Sequence, residues 1–270
     1  MDRFALAKAM KEMARRTDAC WRPADIIQHH FAKTPFGSAY VCISPGEQSE
    51  FASSNHNRLH LCGAEPGLTA DGIASLQKLF ADAGIGRYFV WISPGPDIEV
   101  VRRWLTDAGL MRRPYVSYLT LARDARETAP AETGFDVREV DPQEVERLSG
   151  RLDGIVGPEY LRSLGAPGVH HFMAFEGEQP VASAVLYAFE ELGYLGMAMT
   201  AEPFRCGGAQ SALIAQRIKK AVEVGCKIVV SETLSIAKHS LSNLQMAGFE
   251  VAYEKEVYGL LTKPASQSVP

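Results

Sequence analysis

Between residues 200 and 210 the chain reads TAEPFRCGGAQ, and here residue types and spacing could do chemistry. Arg205, Cys206, Gly207, Gly208, Ala209 and Gln210 stand at the predicted entrance of a helix. The first N–H groups of a helix have no internal partners, and the helix dipole makes that end positive. Glycine lets a backbone take positive φ and approach a bulky anion closely. Arginine adds a bidentate phosphate donor. Together these features can form a phosphate or pyrophosphate cradle. On the two glycines alone, a plain turn capping a strand–helix junction would read the same way, so the surroundings must decide.

Other reactive side chains offer less. Cys206 sits where a helix N-terminus lowers a thiol pKa, but a nucleophilic cysteine also needs a base beside it, and it reads as structural or incidental. His29–His30 and His170–His171 are adjacent pairs, and neighbours on a strand face opposite ways, so neither pair chelates readily. His56, His60 and Cys62 have passable metal spacing but read as part of a strand edge, and no metal site is expected. The five cysteines are scattered without a CxxC pair, as in a protein with reduced thiols.

The elements that must position the 200–210 segment are legible around it. Strands are expected at Phe135–Val140, Phe172–Glu176, Val181–Phe189 and Tyr194–Thr200, the last three joined by short turns into an antiparallel meander. A helical stretch from Pro142 to about Leu164 is broken near Gly154–Pro158. The helix Gly208–Val224 carries Ala212, Leu213, Ala215, Ile218, Ala221 and Val222 at helical spacing. A short buried strand Ile228–Ser231, a helix Ala237–Ala247 and a final strand Val251–Leu261 follow. This order makes an α/β (α+β) mixed sheet with a crossing helix.

Size and charge set the frame. The 270 residues correspond to about two domains as a soft prior. A charge of −4, from 28 basic and 32 acidic side chains, lacks the basic excess of a nucleic-acid binder. No 18-residue apolar run occurs and the start MDRFALAKAMKEMARR is charged, so a cytoplasmic protein without a membrane partner is expected.

In context, the pattern Arg-x-x-Gly, here Arg205 to Gly208, opening a helix after a meander strand resembles the coenzyme A loop of the GNAT superfamily of N-acetyltransferases. The run RCGGAQSALIAQRIKKA is similar to the branch reading Arg-Gly-x-Gly-Ala-Gln, although Gln210 stands where the wider pattern has a small residue. Asn243–Phe249, NLQMAGF, resembles the family's segment after the second helix, where an Asn precedes Gly-Phe. The resemblance spans roughly residues 134 to 262. It implies acetyl-CoA as co-substrate, with no metal. Ala198, Met199 and Thr200 are implied backbone contacts for the pantetheine arm, Arg205–Gln210 the pyrophosphate loop, and Asn243 a partner of the arm. An N–H near Met199 would polarise the thioester carbonyl. The amine then attacks directly, helped by positioning.

An ammonium, with pKa ~10.4 for a lysine-like group, must first lose a proton to a base tuned towards neutrality. Strand Tyr194–Thr200 carries no carboxylate, and the family's frequent Tyr acid falls on Leu244. Glu232, just past the short strand, and Tyr253 and Tyr258 on the last strand are the candidates by position.

The first half echoes the second. Ala108, Gly109 and Leu110 match Ala247, Gly248 and Phe249, Gly84 matches Gly225 and Tyr118 matches Tyr258, at offsets of 139 to 141. A polar linker, 121–134, separates them. The expectation is two tandem GNAT-like domains, 1–128 and 129–270. The first is degenerate, because Glu65, Leu68 and Trp104 stand where the second has Arg205, Gly208 and Asn243. Residues 1–35 read as helix and irregular chain. The three tryptophans, Trp21, Trp91 and Trp104, read as core of this half. The expected activity is acetyl transfer from acetyl-CoA to a primary amine of an unidentified substrate: a small-molecule amine is the favoured partner, and amino acids, aminoglycoside-like polyamines and protein N-termini all stay open. The alternative is a non-catalytic acyl-CoA-binding or sensing module, and homodimerisation stays open. A plain dinucleotide binder is disfavoured, since GxGxxG is absent.

Overall fold

The computed structural model of the chain describes residues 2–20, 27–31, 39–45, 57–62, 70–126 and 134–260. Trp21, His56, Glu65 and Leu68, and the side chains of His29, His30 and Cys62, lie outside what is described. The described residues fall into two units. The first lies within Met1–Arg15, Pro23–Tyr118 and Tyr253–Pro270, and the second within Arg16–Arg22 and Leu119–Ala252.

The chain opens with α1 (Arg3–Cys20), β1 (Ile27–Phe31), β2 (Ala39–Ile43), β3 (Arg58–Cys62), α2 (Ala70–Asp82), β4 (Phe89–Ser93), α3 (Ile98–Asp107) and β5 (Leu110–Asp124). In the first unit β1–β2 and β2–β3 pair antiparallel and β3–β4 parallel. The irregular chain expected at the start is corrected by β1: a five-residue strand with no alternation of its own is formed by pairing with the fully buried β2. The edge reading of His60 is corrected too, because β3 lies between β2 and β4 and the ring is buried. Ile73, Leu76 and Phe80 form the buried stripe of α2, Val101 and Leu105 that of α3. Both stripes meet Val41, Leu59, Val90 and Ile92 of the strands. Trp104 is partly buried against this core.

The chain continues with β6 (Asp136–Glu139), α4 (Pro142–Arg147), α5 (Pro158–Arg162), β7 (Val169–Glu176), β8 (Gln179–Phe189), β9 (Leu192–Thr200), α6 (Ala209–Glu223), β10 (Ile228–Leu234), α7 (Lys238–Met246) and β11 (Glu250–Leu260). The meander is β7–β8–β9, antiparallel throughout, with β6 antiparallel on β7. β10 runs parallel to β9, as a strand reached through a crossover helix must. α6 packs across β7, β8 and β9 through Leu213, Ile214, Ile218 and Ala221, which join Phe172, Ala184, Leu186 and Leu195 in one core. Asp141 caps α4 by accepting from the Glu144 N–H at 2.8 Å, with Pro142 in the first helical turn.

Two boundaries differ from expectation. β10 runs on to Leu234, so Glu232 lies inside a strand rather than beyond it. The start of the supposed linker is buried strand: Leu121 and Ala125 sit in the second unit's core, and the Ala125 N–H donates to the Lys227 carbonyl at 2.9 Å. Arg112, Arg113 and Arg123 punctuate the 15-residue β5 and hide its length from a hydrophobic pattern. β5 passes from the first unit to the second at Leu119, and β11 returns from the second to the first at Tyr253.

Candidate functional site

The geometry of the 200–210 segment follows from two adjacent strands that part. β9 and β10 are registered only from Leu192↔Ile228 to Leu195↔Ser231. Beyond that β9 continues through Gly196–Thr200 and β10 through Glu232–Leu234 without pairing. A bulge turns β9 away. The β8–β9 register shifts between Ser183 and Val185, and Met197 takes φ of 51°. Past the bulge the Ala201 N–H donates to the Val181 carbonyl at 2.9 Å. By the period of a strand, the backbone groups of Thr200 and Ala198 therefore face the other way, into the open wedge. Ala198 and Met199 are exposed there.

The loop closing the wedge has the backbone expected of an anion cradle. Cys206 has φ of 65°, and Gly208 caps α6 with φ of 91° in the left-handed region that glycine alone takes without strain. Gly207 lies tight against its surroundings: a Cβ there would stand 3.4 Å from the Phe135 ring and from the Phe204 carbonyl. Among the described residues, no protein acceptor meets the N–H groups of Gly208, Ala209, Gln210 or Ser211. Arg205 and Cys206 are exposed, and among the described residues Arg205 makes no ion pair. Gln210, the departure from the family pattern, donates from Nε2 to Thr200 Oγ1 at 2.8 Å and ties the first turn of α6 to the end of β9. The structure thus brings together Thr200 and Arg205–Gln210.

Asn243 lies in α7, half-buried, and among the described residues its side-chain amide has no partner. Leu244, where the family often has a tyrosine, is buried in the second unit's core. Glu232 is half-buried on β10, one residue beyond the last β9–β10 pair, and accepts from Thr120 Oγ1 of β5 at 3.0 Å. Tyr253 and Tyr258 fall in the first unit. Tyr258 packs in its core and donates its hydroxyl to Glu256 at 3.2 Å. Burial, and the Glu256 charge after it, raise its pKa.

Sequence reasoning missed Thr120 and Arg217. Arg217 of α6 is fully buried. It donates from Nε to Leu213 O at 3.0 Å and from Nη1 to Val185 O and Gly196 O at 3.2 and 3.3 Å. Burial lowers its pKa to about 9, and Tyr194 opposes that shift. The signal was available: a basic residue on the apolar stripe Leu213, Ile214, Ile218. Elsewhere, His171 is buried, and its Nε2 lies 3.2 Å from the Tyr160 carbonyl and 3.0 Å from Ser163 Oγ. Its neighbour His170 meets Glu139 at 2.7 Å, so the pair does face opposite ways. Among the described residues no group of three His, Cys, Asp or Glu is placed to hold a metal ion, and no helix is long and apolar enough to cross a membrane.

No protein-family model matches the sequence, and no curated protein matches it. Solved structures do match. A GCN5-related N-acetyltransferase from Kribbella flavida superposes with a TM-score of 0.69 at 14% identity, covering 97% of each chain. A tandem GNAT protein from the clavulanic acid biosynthesis pathway gives 0.59 at 11% identity, over 91% of this chain and 86% of that one. A GCN5-related N-acetyltransferase from Sphaerobacter thermophilus gives 0.53 at 14% identity, over 82% and 79%. The fold is therefore that of the GNAT N-acetyltransferases in its tandem form, and the likeness extends over nearly the whole chain.

Proposed function

We propose that the second unit is an N-acetyltransferase that moves acetyl from acetyl-CoA to the primary amine of a small molecule. The observation that carries this reading is the left-handed Gly208 cap. It leaves the first N–H groups of α6 without protein acceptors, beside a strand pair that has parted. Such N–H groups suit a pyrophosphate, whose charge the helix dipole also favours. Arg205 adds a side-chain donor, and Cys206, Gly207 and Ala209 complete the loop. The unpaired edge of β9 at Ala198 and Thr200 suits the amides of a pantetheine arm, Met199 flanks them, and the Asn243 amide supplies a further partner.

Acetyl-CoA, when bound, supplies the acetyl thioester. The residues of this chain hold and orient it. A backbone N–H at the β9 bulge is the donor for the developing oxyanion. Glu232, the only carboxylate on β10, is the base assigned to the incoming ammonium, with Thr120 fixing its orientation. The first unit is proposed to lack a cofactor site of its own, because Glu65, Leu68 and Trp104 replace Arg205, Gly208 and Asn243.

Calorimetric titration with CoA and acetyl-CoA tests the reading. Micromolar binding of both is expected, and no binding at millimolar CoA would sink it. One observation favours a second reading, an acyl-CoA-binding module without catalysis: the position of the family's tyrosine acid is a leucine buried in the core. Acetyl-CoA binding without thiol release across a broad panel of amines would decide for it.

A further inference from the structure

Arg217 is a fully buried guanidinium in the middle of α6. A fully buried guanidinium is expensive, and a methionine would fill the same space without desolvating a charge. Among the described residues no carboxylate pairs with it. Its partners are three backbone carbonyls. One, Leu213 O, belongs to its own helix. The other two, Val185 and Gly196, face each other across β8 and β9 as the pair at which the register shifts. A bulge disrupts the ladder hydrogen bonds, and Nη1 bridges these two carbonyls. On the far side of that bridge stands Met197 with its positive φ, then Ala198 at the open wedge. Gly196 has no room for a side chain, since a Cβ there would lie 3.1 Å from the Tyr194 ring and 3.4 Å from Tyr187.

We propose that Arg217 is a positioning residue: by bridging the Val185 and Gly196 carbonyls it holds the β9 bulge that aims the backbone N–H donor at the thioester carbonyl. The inference rests on the acetyltransferase reading and adds to it a residue about 12 Å along α6 from the phosphate loop, at 1.5 Å per helical residue. It separates two functions of one helix. The N-terminus of α6 holds the phosphates, and its third turn sets the geometry of the strand.

The test compares CoA with acetyl-CoA, which differ only in the acetyl thioester. Both are titrated by calorimetry into the wild type, Arg217→Lys and Arg217→Met, with amide hydrogen exchange read along residues 196–200. The wild type is expected to bind acetyl-CoA several-fold tighter than CoA. In Arg217→Met that preference disappears while CoA affinity stays within threefold. Exchange at Met199, whose N–H faces β8 by the strand period, rises at least tenfold while β7 is unchanged. Arg217→Lys, whose ammonium can still reach a carbonyl, recovers part of the preference. An unchanged preference and unchanged exchange in folded Arg217→Met overturn the proposal. So does a joint collapse of CoA affinity and of protection across β7 and β8, which marks a general scaffold role. If Arg217→Met fails to fold, Arg217→Lys carries the comparison, with partial loss of the preference expected and full retention overturning it. A wild type that binds CoA without preferring acetyl-CoA refutes this inference alone. A wild type that binds neither refutes the acetyltransferase reading with it.

Discussion

The two units stop their helices in the same way and start them differently. In the first, α2 ends with Ala83 N–H on Leu79 O, Gly84 N–H on Ala81 O and Ile85 N–H on Phe80 O, with Gly84 at φ of 73°. In the second, α6 ends with Val224 on Lys220, Gly225 on Val222 and Cys226 on Ala221, with Gly225 at φ of 90°. The spacings are identical, and both are glycine-terminated Schellman stops. The next helix in each also ends alike: Ala108 on Trp104 and Gly109 on Thr106, against Ala247 on Asn243 and Gly248 on Gln245. Trp104 and Asn243 are therefore equivalent positions, and one is core where the other offers a free amide. The helix stops repeat while the residues at Trp104 and Asn243 differ, and under the proposed function disturbing a stop should leave CoA binding alone, and the reverse.

The largest effect expected on that footing is from Phe80→Ala. The ring is fully buried and stacks on Tyr88 at 4.2 Å, and its loss should cost about 3–5 kcal/mol. Urea unfolding should show this while CoA affinity of the folded variant stays within twofold; a large drop in affinity would mean that the first unit takes part in the site. Acid comes next. Burial lowers the His171 pKa to about 4, and burial with the Arg58, Lys255 and Lys11 charges lowers that of His60. Both depressed histidines bind protons more readily unfolded. Their contribution is complete above about pH 6.5 and is lost as pH falls towards the folded value. For His171 the loss reaches about 3 kcal/mol by pH 4. The pH slope of stability between 6.5 and 4 should flatten in His171→Gln, and an unaltered slope would contradict the assignment.

Gly208→Val forces a β-branched residue to φ of 91°, a strain of about 1–3 kcal/mol, and should weaken CoA binding on the order of tenfold to a hundredfold. Unchanged CoA affinity would remove the loop from the site. Gly84→Ala and Gly225→Ala form a matched pair. Neither added methyl meets an atom within 4 Å, so each should cost only the left-handed backbone penalty, about 1–2 kcal/mol, and nearly the same amount. Thermal unfolding of both variants measures this, and a clear inequality would break the equivalence of the two stops. The smallest effect falls at the other matched pair. Asn243→Ala should weaken CoA binding several-fold, about 1 kcal/mol for one hydrogen bond, while Trp104→Ala leaves it unaltered.

Much of this was legible before the fold was known, and the reasons lie in local physics. The meander showed because its turns are short and its strands apolar. The helix after Gly208 showed because its stripe is periodic, and the repeat because Gly84 and Gly225 stand at matching offsets, whereas their role as left-handed helix stops came from the structure. What stayed hidden depended on partners distant in the chain. β1 has no alternation and exists by pairing with β2. Leu121 and Ala125 look like linker until the Lys227 carbonyl is beside them. Glu232 looked like a loop carboxylate until β10 was seen to continue. Gln210 looked like a defect in a motif until Thr200 stood 2.8 Å away.

The sequence alone determined the local chemistry: an arginine and two glycines at a helix entrance, an asparagine on the following helix, and glycines repeated at matching offsets. These are decided within a few residues, by side-chain type and by which φ a residue can take. Only the tertiary structure decided where β9 leaves β10, that Arg217 bridges the Val185 and Gly196 carbonyls, and that the Tyr258 hydroxyl donates to Glu256. Each of those depends on groups far apart in sequence that meet only when the sheet has closed around them.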